Sequence, residues 1–177
     1  MKQLVLAAAL CVAGLAHATV LVPLDTKALT ERADRVVLGT VESAVSRWSS
    51  DHQAIYTDVT IRVERTYKGA LKPGDRVVVR REGGSVDGIG MRVFGAANFV
   101  VGEETVVFLE MRGGAAYTVG MTQGKLHVTT SADGYKQVAA NLAGVAFTQP
   151  DAQRSTAQPR RLEDLEREVR SYLGSAR

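Results

Sequence analysis

The alternation across residues 55–67 constrains this chain more than any other stretch. Val59, Ile61 and Val63 fall on one face, while Asp58, Thr60, Arg62 and Glu64 fall on the other. That period of two is the signature of a half-buried strand. Residues 35–48 precede it as a second strand, largely apolar at Val36, Val37, Leu38, Val41 and Val45 and broken by Gly39. Glycine inside a strand marks a bulge or bend, which suits a sheet that curves. Lys72-Pro73-Gly74-Asp75 then supplies turn chemistry, proline fixing one turn dihedral and glycine taking the positive φ. Residues 34–74 therefore read as a strand pair to which the rest of the sheet is added.

Downstream, residues 76–81 alternate as a third strand, and 104–111 form the most apolar strand, placed centrally. Gly113-Gly114 predicts a hairpin into 117–121, and Asp133-Gly134 a last hairpin joining 125–130 to 135–139. Residues 83–102 carry glycine at 83, 84, 88, 90, 95 and 102. Such density excludes a helix, since each interior glycine costs about 1 kcal/mol against alanine. The stretch is expected to be a long loop with one short strand around 91–94. A short helix capped by Asp25 or Thr26 is expected to plug one end of the sheet. Residues 144–159 read as a linker, and Leu162, Leu165, Val169 and Leu173 space an amphipathic helix over 160–177 with Pro159 near its first turn.

The N-terminus has the form of an export signal. Lys2 precedes an apolar run over 4–15, and Ala16-His17-Ala18 fits a small-x-small cleavage site. The run is shorter than the roughly 20 residues of a membrane span. The expected organisation is a signal over 1–18, a β domain over 19–143, a linker over 144–159 and a helix over 160–177. A periplasmic or extracellular, monomeric product without stable membrane insertion follows. The lone Cys11 lies in the signal, so neither a disulfide framework nor thiol chemistry is available to the exported chain. Lys and Arg number 22 against 19 Asp and Glu, intermixed, which is a solvated surface rather than a nucleic-acid footprint. Trp48, Tyr56 and Tyr67 sit among Arg47, Arg62 and Arg65, and packing accounts for them better than base stacking.

Catalytic constellations are weak. Around Ser85 a nucleophile elbow needs glycine two residues to either side, and Gly83 and Asp87 occupy those places. His127 is out of phase with Leu126 and Val128 and is expected to face solvent, while His52 lies in a loop beside Asp51. No metal-ligand or phosphate-loop spacing occurs, so no cofactor is expected. The glycine-rich stretch, with Gly84, Ser85, Val86, Asp87, Ile89, Met91 and Phe94, is the candidate partner-binding loop.

Residues 33–41 (Ala-Asp-Arg-Val-Val-Leu-Gly-Thr-Val), 57–64 (Thr-Asp-Val-Thr-Ile-Arg-Val-Glu), Tyr67-Lys68-Gly69 and Gly102-Glu103 followed by Phe108-Leu109 resemble a group of exported bacterial proteins. Their plan is similar to the OB-like barrel of the tissue inhibitors of metalloproteinases and netrin modules. The resemblance implies a five- to six-stranded antiparallel OB-like barrel. That OB-like pattern, the lack of catalytic groups and the long glycine-rich apolar loop together lead to the expectation of a non-enzymatic binding or inhibitory module acting on another exported protein, with a protease, such as a metalloprotease, among the candidate targets. Those inhibitors place an N-terminal cysteine on zinc, where this chain has Thr19, so no site residue carries over. The alternatives are a hydrolase using Ser85, Asp87 and a histidine, and a passive envelope component.

Overall fold

The computed structural model describes residues 19–149 and 158–174. The expected signal over 1–18 lies outside the described residues, as do 150–157 and 175–177. The chain is mostly β. In order it runs β1 (Thr19–Leu21), α1 (Thr26–Arg32), β2 (Arg35–Trp48), β3 (Ile55–Lys68), β4 (Arg76–Glu82), β5 (Gly84–Val86) and β6 (Ile89–Met91). There follow β7 (Glu104–Arg112), β8 (Ala115–Thr118), a 3-10 turn (Met121–Gly124), β9 (Lys125–Thr130), β10 (Lys136–Ala140), β11 (Val145–Phe147), β12 (Arg160–Arg161) and α2 (Leu162–Gly174).

One eight-stranded sheet has the order β12-β10-β9-β7-β2-β3-β4-β8. Its pairings are antiparallel except β4 with β8, which meet in parallel at Val79 and Ala116. β8 also pairs with β7 from Leu109↔Thr118 to Arg112↔Ala115. Bending begins in β2 and β3, whose register shifts at Val36/Val37, Leu38/Gly39 and Val41/Ser43. At Gly39 an added Cβ would stand 2.3 Å from the Arg62 carbonyl oxygen, so only glycine lets the strands approach there.

The apolar runs of β2 and β7 are explained by burial on both faces. Val37, Val41, Val107 and Leu109 join Val59, Ile61, Val63, Val77, Val79, Ala97 and Phe99 in an inner core. Val36, Leu38, Val106 and Phe108 face the other way, onto Leu29 of α1, Leu126, Val138, and Leu165 and Val169 of α2. A strand sandwiched in this way loses its period-two signal. The helix α1, capped by Asp25 accepting from the Ala28 amide at 2.7 Å, packs on α2 over this outer face rather than plugging a sheet end.

Several expectations shift. The stretch expected as a loop over 83–102 contains the β5–β6 hairpin, paired from Gly84↔Met91 to Val86↔Ile89. Its tip, Asp87-Gly88, has positive φ at both residues, 51° and 78°, the geometry of a tight two-residue hairpin turn. Within the expected linker, Val145–Phe147 forms β11, parallel to β1 at the start of the described chain. Arg160 and Arg161 are strand, paired with β10, so the helix begins at Leu162. Its first turn carries Glu163 and Asp164, which complement the helix dipole. Among the described residues no helix is long and apolar enough to cross a membrane.

Candidate functional site

The inner face of the sheet ends in polar residues. Strand register sets Ser46 of β2 beside Thr57 of β3, and Thr57 beside Arg81 of β4. These follow the rung Ala44, Val59 and Val79 on the same face. From the other side, Lys125 pairs with Val107 and His127 with Thr105, which directs both side chains to the inner face. The hairpin and the segment that follows it lie over this floor. Together they enclose an open cleft of about 650 Å³, a size ordinary for ligand sites.

The hairpin is tied to the floor through hydroxyls. Thr57 Oγ1 donates to the Gly83 carbonyl at 2.6 Å and lies 3.0 Å from Ser46 Oγ, which accepts from the Ser85 amide at 3.3 Å. Gly84 makes the approach possible. A Cβ there would stand 2.3 Å from Ser46 Oγ and 2.5 Å from Thr57 Oγ1.

Two of the lining residues, Lys125 and His127, belong to a charged cluster with Glu103, which stands behind them. Lys125, 1% exposed, places Nζ 2.7 Å from Glu103 Oε1 and against the His127 ring, 2.9 Å from Nδ1. His127 Nδ1 lies 2.7 Å from Glu103 Oε2. Phe99 underlies the ammonium, its ring centroid 5.2 Å away. Burial pushes the Glu103 carboxyl up, but hydrogen bonds from His127 and Lys125, the Val100 amide and the Lys125 charge outweigh it. They hold the carboxyl at about 2. Burial holds the Lys125 ammonium below its ordinary value, and Glu103 opposes that shift.

Arg81 differs from its neighbours. Arg80 donates twice to Asp58, at 2.8 and 3.1 Å, on the opposite face. Arg76 pairs with Glu42, Arg62 with Glu42 and Glu64, and Arg65 with Glu166. Arg81 is partly buried and has no acidic partner among the described residues. Burial alone lowers its guanidinium from the ordinary value. No aspartate or glutamate lines the cleft, whereas Arg81, Arg92, Lys125 and His127 do.

Of the residues singled out from sequence, Gly84, Ser85, Met91 and Phe94 line the cleft. Val86, Asp87 and Ile89 form the outer end of the hairpin instead. Ile89 is 55% exposed and Phe94 39% exposed, with the Arg92 guanidinium 5.0 Å from the Phe94 ring centroid. Ser85, Asp87 and histidine are not assembled into a triad. Asp87 is at the exposed tip, His127 is bonded to Glu103, and His52 stacks 6.2 Å from Trp48 in the β2–β3 loop. The expectation that His127 faces solvent is corrected, because β9 carries Leu126 on the outer core and His127 on the inner side. Arg81, Glu103 and Lys125 were not singled out. The available signal was phase, Arg81 following Val77 by four residues and Val79 by two.

Among the described residues no three His, Cys, Asp or Glu side chains gather into a metal-binding group. No protein-family model matches the chain, and no curated protein is recognisably similar to it.

Proposed function

We propose that the chain is an exported, non-enzymatic binding module that engages another exported protein through the β5–β6 hairpin and the cleft beneath it. The carrying observation is a hairpin fastened over a cleft of about 650 Å³, with Ile89 exposed on the hairpin and Phe94 exposed on the segment that follows it. Apolar side chains held on a rigid element make binding anchors at low entropic cost. β6 pairs only with β5 among the described residues, which leaves main-chain groups for an extended partner segment. The basic lining favours an acidic one. The circuit β7–β2–β3–β4–β8 and back to β7 supports an OB-type barrel, and with it the proposed kinship to the metalloproteinase inhibitors. Export, a monomeric state and a protease target belong to the same proposal.

The test is co-purification from the exported fraction of the native cell, comparing wild type with an Ile89→Glu/Phe94→Glu variant of unchanged thermal stability. A specific partner retained by wild type and lost by the variant is expected. Equal recovery by both proteins refutes the reading.

The hydrolase reading has one observation in its favour. The Glu103–His127 pair and Ser85 line or adjoin the same cleft, Glu103 standing where Asp87 had been expected. Ester and peptide turnover abolished by Ser85→Ala would establish it; no turnover by wild type refutes it.

A further inference from the structure

The geometry points to an oxyanion site in the cleft, in which Arg81 grips a carboxylate or phosphate with Arg92 at the rim. The proposal rests on the cleft being the binding site and names the chemistry that the site takes. Three observations carry it. Arg81 lies on the inner face in register with Thr57, on the phase of Val77 and Val79, where β4 leaves the apolar core and enters the cleft. It has no acidic partner among the described residues, while the adjacent Arg80 is held bidentately by Asp58. The cleft lining contains no acidic side chain, and Glu103, which stands behind Lys125 and His127, is already bonded to both.

A partly desolvated guanidinium without a counter-charge is unfavourable in the empty protein. Its planar fork matches the two oxygens of a carboxylate or phosphate, and the surrounding low-dielectric wall strengthens that contact. Lys125 adds little net charge because Glu103 neutralises it. The cleft therefore presents about two positive charges, from Arg81 and Arg92, and suits a mono- or dianion. Arg92, laid against Phe94 just after the hairpin, brings a second positive charge beside that exposed ring. A partner's acidic side chain or terminal carboxylate, inserted beneath the hairpin, would meet Arg81 while its flanking residues meet Ile89 and Phe94.

Calorimetric titration of the full exported chain tests this. The probes are inorganic phosphate, citrate, and an extended peptide carrying either a free C-terminal carboxylate or an amide. At least one oxyanion should bind, and Arg81→Gln should weaken it by roughly tenfold or more. Arg92→Gln, at an exposed position that does not threaten the fold, should weaken it less. Arg80→Gln, on the opposite face, should leave it unchanged. Preference for the peptide acid over its amide assigns the site to a partner's carboxylate, and preference for phosphate or citrate assigns it to a free anion. Binding unaffected by Arg81→Gln and Arg92→Gln, or no binding by any probe, overturns the proposal. Partner capture that survives Arg81→Gln but not Ile89→Glu/Phe94→Glu would leave the binding module standing and remove the oxyanion.

Discussion

Replacing Glu103 by glutamine should expose how tightly the cleft floor depends on one carboxylate. Lys125 is 1% exposed and the Glu103 side chain 13% exposed, with Nζ and Oε1 2.7 Å apart. Removing one member of such a pair leaves a buried ammonium uncompensated, which typically costs 3–5 kcal/mol. The glutamine carbonyl can still accept from Lys125, so about 3 kcal/mol is expected near neutral pH. The pH dependence carries a second signature. With its partner gone, folded Lys125 titrates further below the unfolded lysine. Between those two values the unfolded chain binds more protons, so stability of the variant should climb as pH rises toward the lysine range. Urea unfolding from neutral to alkaline pH, followed by the fluorescence of the single tryptophan, Trp48, reads both effects. Lys125→Met in the same background should recover most of the loss, because the unpaired charge is then gone. A cost below about 0.5 kcal/mol, or strictly additive single and double variants, would refute the reasoning.

Three further outcomes follow from the same geometry. Wild type should lose stability as pH falls from 4.5 through about 2, since Glu103 is ionised in the folded protein where the unfolded chain already binds a proton. The depression corresponds to about 3 kcal/mol at most, read by urea melts across that window, and it should be absent in Glu103→Gln. Gly84→Val should detach the hairpin, because its Cβ would stand 2.3 Å from Ser46 Oγ at a φ of +146°. Faster amide exchange confined to 84–91, with the core intact, checks this. Asp25→Ala should cost about 1 kcal/mol through the lost cap on α1, measured by chemical unfolding.

Where one face of the sheet was solvated, the strand pattern was legible. β3 alternates and stands close to where its residues put it, and Gly39 falls at a register shift as a strand glycine should. β2 and β7 were recognisable as largely buried strands, but the second core that covers their outer face, built from α1 and α2, could not be seen. Alternation reports one buried face, and these strands have two. The same limit misplaced His127. Being out of phase with one apolar set placed it on the inner side of the sheet, in the wall of the cleft and half-buried against Glu103 and Lys125, rather than on the open surface. Asp87-Gly88 was a tight-turn dipeptide equal to Asp133-Gly134, but the surrounding glycines masked the three-residue strands on either side. β11 was hidden for a different reason. Its partner β1 lies over 120 residues away, and three-residue parallel strands carry no local signal. The cleft was half legible. The glycine-rich stretch pointed to its wall, while the floor required the register that brings Arg81, Ser46 and Thr57 together from three strands.

The hairpin over the cleft is the surface proposed to meet a partner. Site-specific photo-crosslinking in native cells tests this, with the reactive group placed at Ile89 or Phe94 and at Val78 as an exposed control on β4. A discrete crosslinked species from Ile89 and Phe94, absent from Val78, is the predicted result. No crosslink from Ile89 or Phe94, or the same product from Val78, would show that a partner does not dock there.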